Sequence, residues 1–449
     1  MLKITELHTL DIVLCSAYTV MAIIILFAIR NQISDKTRKY FIPYFSFKII
    51  TAIAFALIHV YYYKGGDTFL YFEGAVYFSN LILYEPTNLI NHYFIDLNET
   101  SQLPAIEGYY ILEVLKSPDT IFMSKLTAPF ALISANQFLT TTLNFTLFTS
   151  IGAWLIFTVF VNLYQKASMF FAIGTLFYPT LAIWTSGILK DSVTLLGLGV
   201  LFFAIFKLLY HKKWIYLTLA TLAIYSTIIL KPYVLYIFIP SMLLWAQGRI
   251  NQQIKSTFYK YLITPFIALS FILFGYLLFN EISESAGKYS LENLESIAKG
   301  FHSWHSYLAE TRGQSGYTLG EVSYTPLGML SKAPESLFVT FYRPFIFLET
   351  KNIPTLFEGI QSFLLLIITI YIIFKTGLRN ILRILFKDTN LLAFLIFALI
   401  FAYAVGFTSY NFGALSRYKT PALPFFTAAL TIIYFYSKKE KKLSRFKTI

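Results

Sequence analysis

Charged residues are scarce in this chain. Asp, Glu, Lys and Arg together make up 13% of its 449 residues, whereas 57% are hydrophobic and 19% are aromatic. In soluble domains about a quarter of the residues are charged. The shortage argues against a soluble globular fold and predicts an all-α protein that crosses a membrane several times.

Cysteine is almost absent as well. The one cysteine, Cys15, lies inside the first hydrophobic segment. A single cysteine excludes a disulfide or a thiolate metal site within one chain. We interpret Cys15 as a small apolar residue of a helix.

Long apolar runs are what the chain has in abundance. A helix needs roughly 20 mostly apolar residues to cross a bilayer. Candidate spans occupy residues 10–29, 41–63, 143–163, 168–187, 192–209, 214–230, 233–247, 261–279, 354–374, 390–408 and 420–437. The sequence therefore predicts a bundle of about eleven transmembrane helices.

The basic residues are distributed unevenly between the loops. If the first span runs inward, the inner segments hold 21 of the 36 Lys and Arg residues and only 3 of the 23 acids. Such a bias favours the cytoplasmic side. We expect a multi-pass protein of the cytoplasmic (inner) membrane, with the N-terminus outside and the C-terminus in the cytoplasm. The net charge of +13 is then a consequence of membrane topology, and no nucleic-acid partner is expected.

Two long loops fall on the predicted outer face. Loop 64–142 has apolar runs too short or too mixed to span, which predicts helices lying in the membrane interface. Loop 280–353 is the most polar part of the chain and is expected to form a mostly helical cap. We therefore divide the chain into an N-terminal transmembrane region (1–279), the cap (280–353) and a C-terminal transmembrane region with a basic cytoplasmic tail (354–449).

An acidic residue follows two glycines where the second span ends. The stretch "KGGDTFLYFEGA" places Asp67 at the start of the first outer loop and Glu73 one to two helical turns later. Glycine permits unusual backbone conformations and close approach of a ligand. Asp67 is a candidate general base, or a ligand of a divalent ion that neutralises a diphosphate, and Glu73 lies beside it. The alternatives are an N-cap for Asp67 and a helix-surface acid for Glu73.

Further charged residues lie at the predicted outer edge of other spans. Ionisable groups so close to hydrocarbon are candidates for function. Several cations near a few carboxylates would suit a phosphate group. The predicted phosphate-binding residues are Lys190, Asp191, Lys231, Arg343 and Arg417.

Structural roles compete with each of these assignments. Lys190 and Asp191 would equally cap a short turn and pair with a neighbouring span. Lys231 would also suit an interfacial lysine whose ammonium reaches water. Arg343 and Arg417 have aromatic neighbours, so cation–π packing is the alternative there.

The pattern resembles the GT-C superfamily of membrane glycosyltransferases. The resemblance rests on the many spans, on "GGDTFLYFEGAVYFSNLI" as the acidic start of the first outer loop, and on "SGILKDS" as a short outer turn. It implies transfer of a sugar from a polyprenyl phosphate or diphosphate donor to a saccharide, lipid or protein acceptor. It also implies Asp67 as the catalytic carboxylate, with Tyr71 behind it. The chain departs from the family in having an extra span before the acidic loop and no adjacent acidic pair within it.

Three other functions remain open, one of which is a non-catalytic membrane scaffold in which Asp67 would be replaceable. The large second outer loop also resembles that of O-antigen polymerases and ligases, in which case Arg312 and Arg343 would bind the lipid diphosphate. A transporter or flippase for lipid-linked saccharides would need similar cations but no general base, and inverted repeats typical of many transporters are not visible.

The remaining candidates concern the acceptor and a metal. Trp304, Tyr307 and Tyr317, in the second outer loop, are predicted to stack on sugar rings or, alternatively, to anchor the loop. Tyr71 is a further candidate for binding the acceptor or its sugar. No cofactor is firmly indicated. A divalent cation, Mg²⁺ or Mn²⁺, is one way of neutralising a diphosphate. His302 and His305 have metal-ligand spacing without a clear third ligand, so the metal site stays unassigned.

Overall fold

The structure, a computed structural model, describes residues 6–84, 117–253, 315–323 and 326–445. Every regular element within these ranges is helical, which confirms the all-α class. The only extended pairing they contain is one antiparallel bridge, between Gly316 and Asn411.

Eleven helices, α1 to α11, precede the cap region within the described ranges. In order they are Thr9–Ile29, Asp35–Leu57, Asp67–Tyr84, Pro118–Ile133, Phe138–Thr149, Ile151–Leu163, Ser168–Phe171, Pro179–Trp184, Lys190–His211, Tyr216–Leu230 and Pro232–Gln253. A π-helical turn, Ile58–Tyr63, continues α2, and another, Ala172–Leu176, continues α7.

Seven helices, α12 to α18, follow within the rest of the described chain. In order they are Pro326–Ser331, Ala333–Tyr342, Ile353–Thr376, Leu378–Lys387, Thr389–Thr408, Phe412–Tyr418 and Ala422–Arg445.

Six helices of the described chain are long and apolar enough to cross a membrane. They are Thr9–Gln32, Asp35–Tyr63, Phe138–Leu163, Lys190–His211, Ile353–Thr376 and Thr389–Thr408. A seventh span results if Phe412–Tyr418 and Ala422–Ser437, which meet at 68°, are taken as one bent helix. The chain is thus a multi-pass membrane protein, while the total of about eleven spans stays a prediction.

Three predicted spans within the described residues are not among these. Residues 168–187 do not form one continuous helix, because the π-helical turn and then Pro179 at the start of α8 interrupt it. Predicted span 214–230 contains α10, Tyr216–Leu230, whose 15 residues are short for a span. Predicted span 233–247 lies within α11, whose C-terminal end is polar. Predicted span 261–279 lies outside the described residues.

The chain forms two compact units. Unit 1 comprises Met1–Ser168, Thr175–Leu208 and Lys213–Pro232. Unit 2 comprises Met169–Gly174, Leu209–Lys212 and Tyr233–Ile449. The boundaries predicted at residues 279 and 353 stay a prediction.

A buried carboxylate joins two helices of unit 1. Asp11, in the first turn of α1, accepts hydrogen bonds from the backbone N–H groups of Leu139 and Thr140, at 2.8 and 2.9 Å. These N–H groups belong to the first turn of α5, where they have no partner inside the helix. A side chain of α1 therefore caps the N-terminus of α5.

Candidate functional site

The start of α3 is shaped by the backbone that precedes it. Lys64 ends the α2 extension in the left-handed conformation, with φ of 50°, and Gly66 has φ of 120°. A residue with a side chain would be strained at Gly66, as the glycine pair in the sequence suggested. The chain then enters α3 at Asp67, which is exposed.

Lys190 lies against α3 and α4. Its ammonium forms an ion pair with Asp119, in the first turn of α4, and lies 5.5 Å from the centre of the Tyr71 ring. Asp67 is four residues before Tyr71 on the same helix, so both lie on the same face, one turn apart. The start of α9, with the predicted phosphate ligand Lys190, therefore lies against α3, which begins with the predicted general base Asp67.

A second ion pair lies next to the first. The Asp191 carboxylate contacts the Lys231 ammonium at 2.5 Å, and the two side chains are 1% and 9% exposed. Lys231 directly follows α10, so the pair ties the end of that helix to the first turn of α9. Because its side chain is buried, Lys231 is not an interfacial lysine whose ammonium reaches water. Asp191 pairs with a residue from a neighbouring helix, as its alternative role predicted.

The helices that carry the two ion pairs share an apolar cluster. Tyr71 of α3, Ile188 before α9, Val193 of α9 and Leu230 of α10 all belong to it. The first turns of α3 and α9 and the end of α10 are therefore packed on a shared core, which holds their charged residues close together.

Two carboxyl groups here have shifted pKa values. Burial opposes ionisation of Asp119, but hydrogen bonds from Lys190 and Ser117 outweigh it and lower the pKa of that carboxyl. Burial raises the pKa of Glu73, which is half-buried on α3. Asp119 is thus held ionised beside Lys190, whereas folding disfavours the charge on Glu73.

Sequence reasoning missed Lys48, in the middle of α2. Its side chain is buried, and its ammonium donates to the carbonyl oxygens of Ala182 and Thr185, both at 2.9 Å. It also donates to the Thr185 hydroxyl at 3.1 Å and to the Ser186 hydroxyl. Lys48 thereby caps the C-terminal end of α8 from a neighbouring helix.

The two hydroxyls beside Lys48 also form hydrogen bonds within their own turn. The Thr185 hydroxyl donates its proton to Leu181 O at 2.7 Å, and the Ser186 hydroxyl donates to Ala182 O at 2.5 Å. Both hydroxyls also lie within hydrogen-bond distance of the Lys48 Nζ. Lys48 has no acidic partner in the part of the chain that the structure describes.

The segment held by Lys48 leads directly to Lys190. Between them, Gly187 packs so tightly on α2 that a Cβ there would lie 2.1 Å from the Phe55 ring. The Ser192 hydroxyl of α9 donates back to Gly187 O at 2.8 Å. The sequence did contain a signal for the role of Lys48. A lysine within an apolar span is expected to face a partner inside the bundle.

Arg343 belongs to unit 2 and has a bidentate carboxylate partner. Its Nε lies 3.0 Å from Glu349 Oε2, and an Nη contacts Oε1 of the same carboxylate. The guanidinium also lies 5.8 Å from the Tyr317 ring and 5.5 Å from the Phe412 ring. The aromatic packing expected as an alternative is therefore present, while phosphate binding by Arg343 stays a prediction.

Arg417 lies near the end of α17, the helix that begins at Phe412. Two residues later, Lys419 is buried and paired with Glu358 of α14 at 2.5 Å, and it donates to Thr340 O at 2.9 Å. Neither partner was predictable from the sequence, because both come from other helices. Lys419 and Glu358 lock the bend between α17 and α18 onto α14.

The predicted site residues thus fall into two groups and a remainder. Unit 1 holds Asp67, Tyr71, Glu73, Lys190, Asp191 and Lys231, and unit 2 holds Arg343 and Arg417. That the two groups line one cavity stays a prediction. Trp304, Tyr307, Arg312, His302 and His305 lie outside the described residues.

A divalent cation also stays a prediction. Within the described ranges, no three His, Cys, Asp or Glu side chains come together as metal ligands. Asp119 and Asp191 are each paired with a lysine.

Comparison with protein-family models, with characterised proteins and with solved structures gives no match to this chain.

Proposed function

We propose that this protein is a membrane glycosyltransferase of the GT-C type, which moves a sugar from a polyprenyl phosphate or diphosphate donor to an acceptor hydroxyl. The observation that supports it best is the position of Lys190, at the N-terminus of α9 and against the face of α3 that begins with Asp67. A phosphate-binding cation and an exposed carboxylate on adjoining elements suit sugar transfer from a phosphate leaving group.

Lys190 is the proposed phosphate ligand. Its side chain is 17% exposed and that of Asp119 is 30% exposed, so this pair is open to exchange, unlike the buried pair of Asp191 and Lys231. A donor phosphate would replace Asp119 at the ammonium, next to the positive N-terminal end of α9. Charge placed in advance at the leaving group is often the largest single contribution to catalysis.

Asp67 is the proposed general base. The acceptor oxygen attacks the anomeric carbon, its proton passes to the Asp67 carboxylate, and the carbon–oxygen bond to the phosphate breaks. Direct displacement inverts the anomeric centre. General base catalysis of this kind contributes about 10²–10⁴-fold in rate.

The other charged residues have supporting roles in this proposal. Lys231 holds Asp191, and with it the first turn of α9, in place. Arg343 and Arg417 are proposed to contribute to binding of the donor phosphate, with Trp304 and Tyr307 stacking on sugar rings. The reaction is proposed to take place at the outer face of the cytoplasmic membrane. Interfacial helices of the first outer loop are proposed to line the side of the site that faces the bilayer.

The test is transfer by the purified full chain in vesicles that contain lipid-linked saccharides extracted from membranes. Mass spectrometry of the acceptor fraction should show a new glycosylated product with the wild-type chain and none with Asp67→Asn. Polyprenyl phosphate should still bind to the variant. Full activity of Asp67→Asn would remove the catalytic assignment.

One observation favours transport as a second candidate function. Predicted span 168–187 is interrupted, and Lys48 donates to carbonyl groups at the end of α8. Interrupted helices are common where transporters bind substrates. Movement of a lipid-linked saccharide between leaflets that persists in Asp67→Asn, with no transferred product in wild type, would establish this alternative.

A further inference from the structure

The short helix α15 has an unusual exposed surface. It spans Leu378–Lys387 and connects α14 to α16, two helices long enough to cross the membrane. It therefore lies at a membrane surface. One side of it, through Ile381 and Ile384, is packed inside unit 2, with exposures of 8% and 1%.

A row of large apolar side chains remains exposed on α15. Leu378, Leu382 and Phe386 are 67%, 49% and 82% exposed. They are four residues apart, so they form a stripe along the helix. Such a stripe in water would be unfavourable, whereas in the acyl region of a bilayer it would be solvated.

A row of cations runs beside this apolar row. Arg379, Arg383 and Lys387 each follow an apolar member by one residue, a rotation of about 100° around the helix. All three are exposed, and none has an acidic partner within the ranges described.

The neighbouring acid does not neutralise this row. Asp388 is 8% exposed, and its carboxylate accepts from the backbone N–H of Asn390 at 3.1 Å and from the Tyr436 hydroxyl at 2.9 Å. It caps α16 and faces the interior of unit 2. The outer face of α15 therefore has three positive charges that no acid of the described chain compensates.

We propose that α15 is a binding site for anionic phospholipid headgroups in the leaflet it touches. The apolar row enters the acyl chains, and the cationic row, one step around the helix, meets the phosphates above them. A zwitterionic lipid would satisfy the apolar row but leave the three charges without net compensation. Each basic residue near an anionic surface contributes about five-fold in affinity, so three give a preference on the order of 100-fold at low salt.

The experiment uses the full chain in lipid nanodiscs. Cys15→Ser removes the native thiol, and Phe386→Cys provides an exposed position for a fluorescent label. Quenching of the label is measured with brominated phosphatidylglycerol and with brominated phosphatidylcholine. We expect both lipids to quench, with phosphatidylglycerol strongly preferred, and the preference to fall with added salt.

A charge-matched pair of variants decides the proposal. Arg379→Gln, Arg383→Gln and Lys387→Gln together should reduce the preference for phosphatidylglycerol at least ten-fold. Replacing three exposed lysines of other loops, Lys166, Lys212 and Lys213, by Gln should leave it unchanged. Equal loss in both variants, no loss in the first, a label that no brominated lipid quenches, or full competition by soluble inorganic phosphate would overturn the proposal.

Discussion

Lys48 provides the sharpest test of how the start of α9 is held in place. Replacing it by methionine keeps a side chain of similar length but removes the ammonium. Ala182 O retains the hydroxyl of Ser186 as a donor, whereas Thr185 O loses the Lys48 ammonium, its one donor in the described structure. Leaving one buried acceptor without a partner costs about 1–3 kcal/mol.

Removing the buried polar group also acts in the opposite direction. A polar or charged group in a low-dielectric interior carries a desolvation penalty, and a hydrophobic replacement relieves it. In the native structure four oxygen acceptors offset that penalty. We therefore expect a net destabilisation of about 1–3 kcal/mol, the cost of the unsatisfied carbonyl.

Thermal unfolding of the purified chain in detergent measures this effect. Lys36→Met is the control, because Lys36 is exposed on the same helix and its loss should change stability by less than about 0.5 kcal/mol. A second measurement follows position 190 directly. With Cys15→Ser and Lys190→Cys, alkylation of residue 190 should become faster when Lys48 is replaced. Unchanged stability and an unchanged alkylation rate would refute the positioning role of Lys48.

Three further predictions concern residues of unit 1. Gly187→Ala should lower stability by about 1–3 kcal/mol, because the new Cβ would overlap the buried Phe55 ring, and Phe55→Leu in the same chain should restore part of the loss. Glu73→Gln should raise the melting temperature at neutral pH and have little effect near pH 4. Burial raises the pKa of Glu73 in the folded state, so the wild-type carboxyl destabilises the fold once the pH rises through its folded pKa. Asp119→Asn should remove a stabilisation that is present above about pH 4 and is lost as pH falls through the lowered pKa, so melting curves of wild type and variant should converge in acid. If the Asp119→Asn variant loses stability equally at all pH values, the ion pair is contradicted.

The helical class and the long spans were predictable because the bilayer imposes a simple requirement. A run such as residues 354–374 has only one way of satisfying its backbone in lipid, and the structure has a helix there, Ile353–Thr376. The interruption of 168–187 was less visible, since apolar composition remains high through Pro179.

The site was only partly predictable, for a physical reason. Asp67, Tyr71, Lys190 and Asp191 stand out because they lie in short motifs at the ends of apolar runs. Their partners come from distant segments: Asp119 is 71 residues from Lys190, and Lys231 is 40 residues from Asp191. Pairings over such separations depend on how helices pack, which hydropathy does not encode.

Lys48 shows a different limit of sequence reasoning. A lysine within an apolar run is conspicuous, but its four acceptors are backbone carbonyls and hydroxyls that leave no charge signature. The hydrogen bonds depend on the packing that places the end of α8 beside α2, which the sequence does not encode locally.

The most direct test of the proposed function is the binding of polyprenyl phosphate to the purified full chain, compared with polyprenol of the same length. We predict that wild type prefers the phosphate, that Lys190→Gln weakens its binding by about 10–100-fold, the contribution of one charged hydrogen-bonded contact, and that Asp67→Asn binds as wild type does. Equal affinity for phosphate and alcohol, or undiminished phosphate binding by Lys190→Gln, would contradict the account.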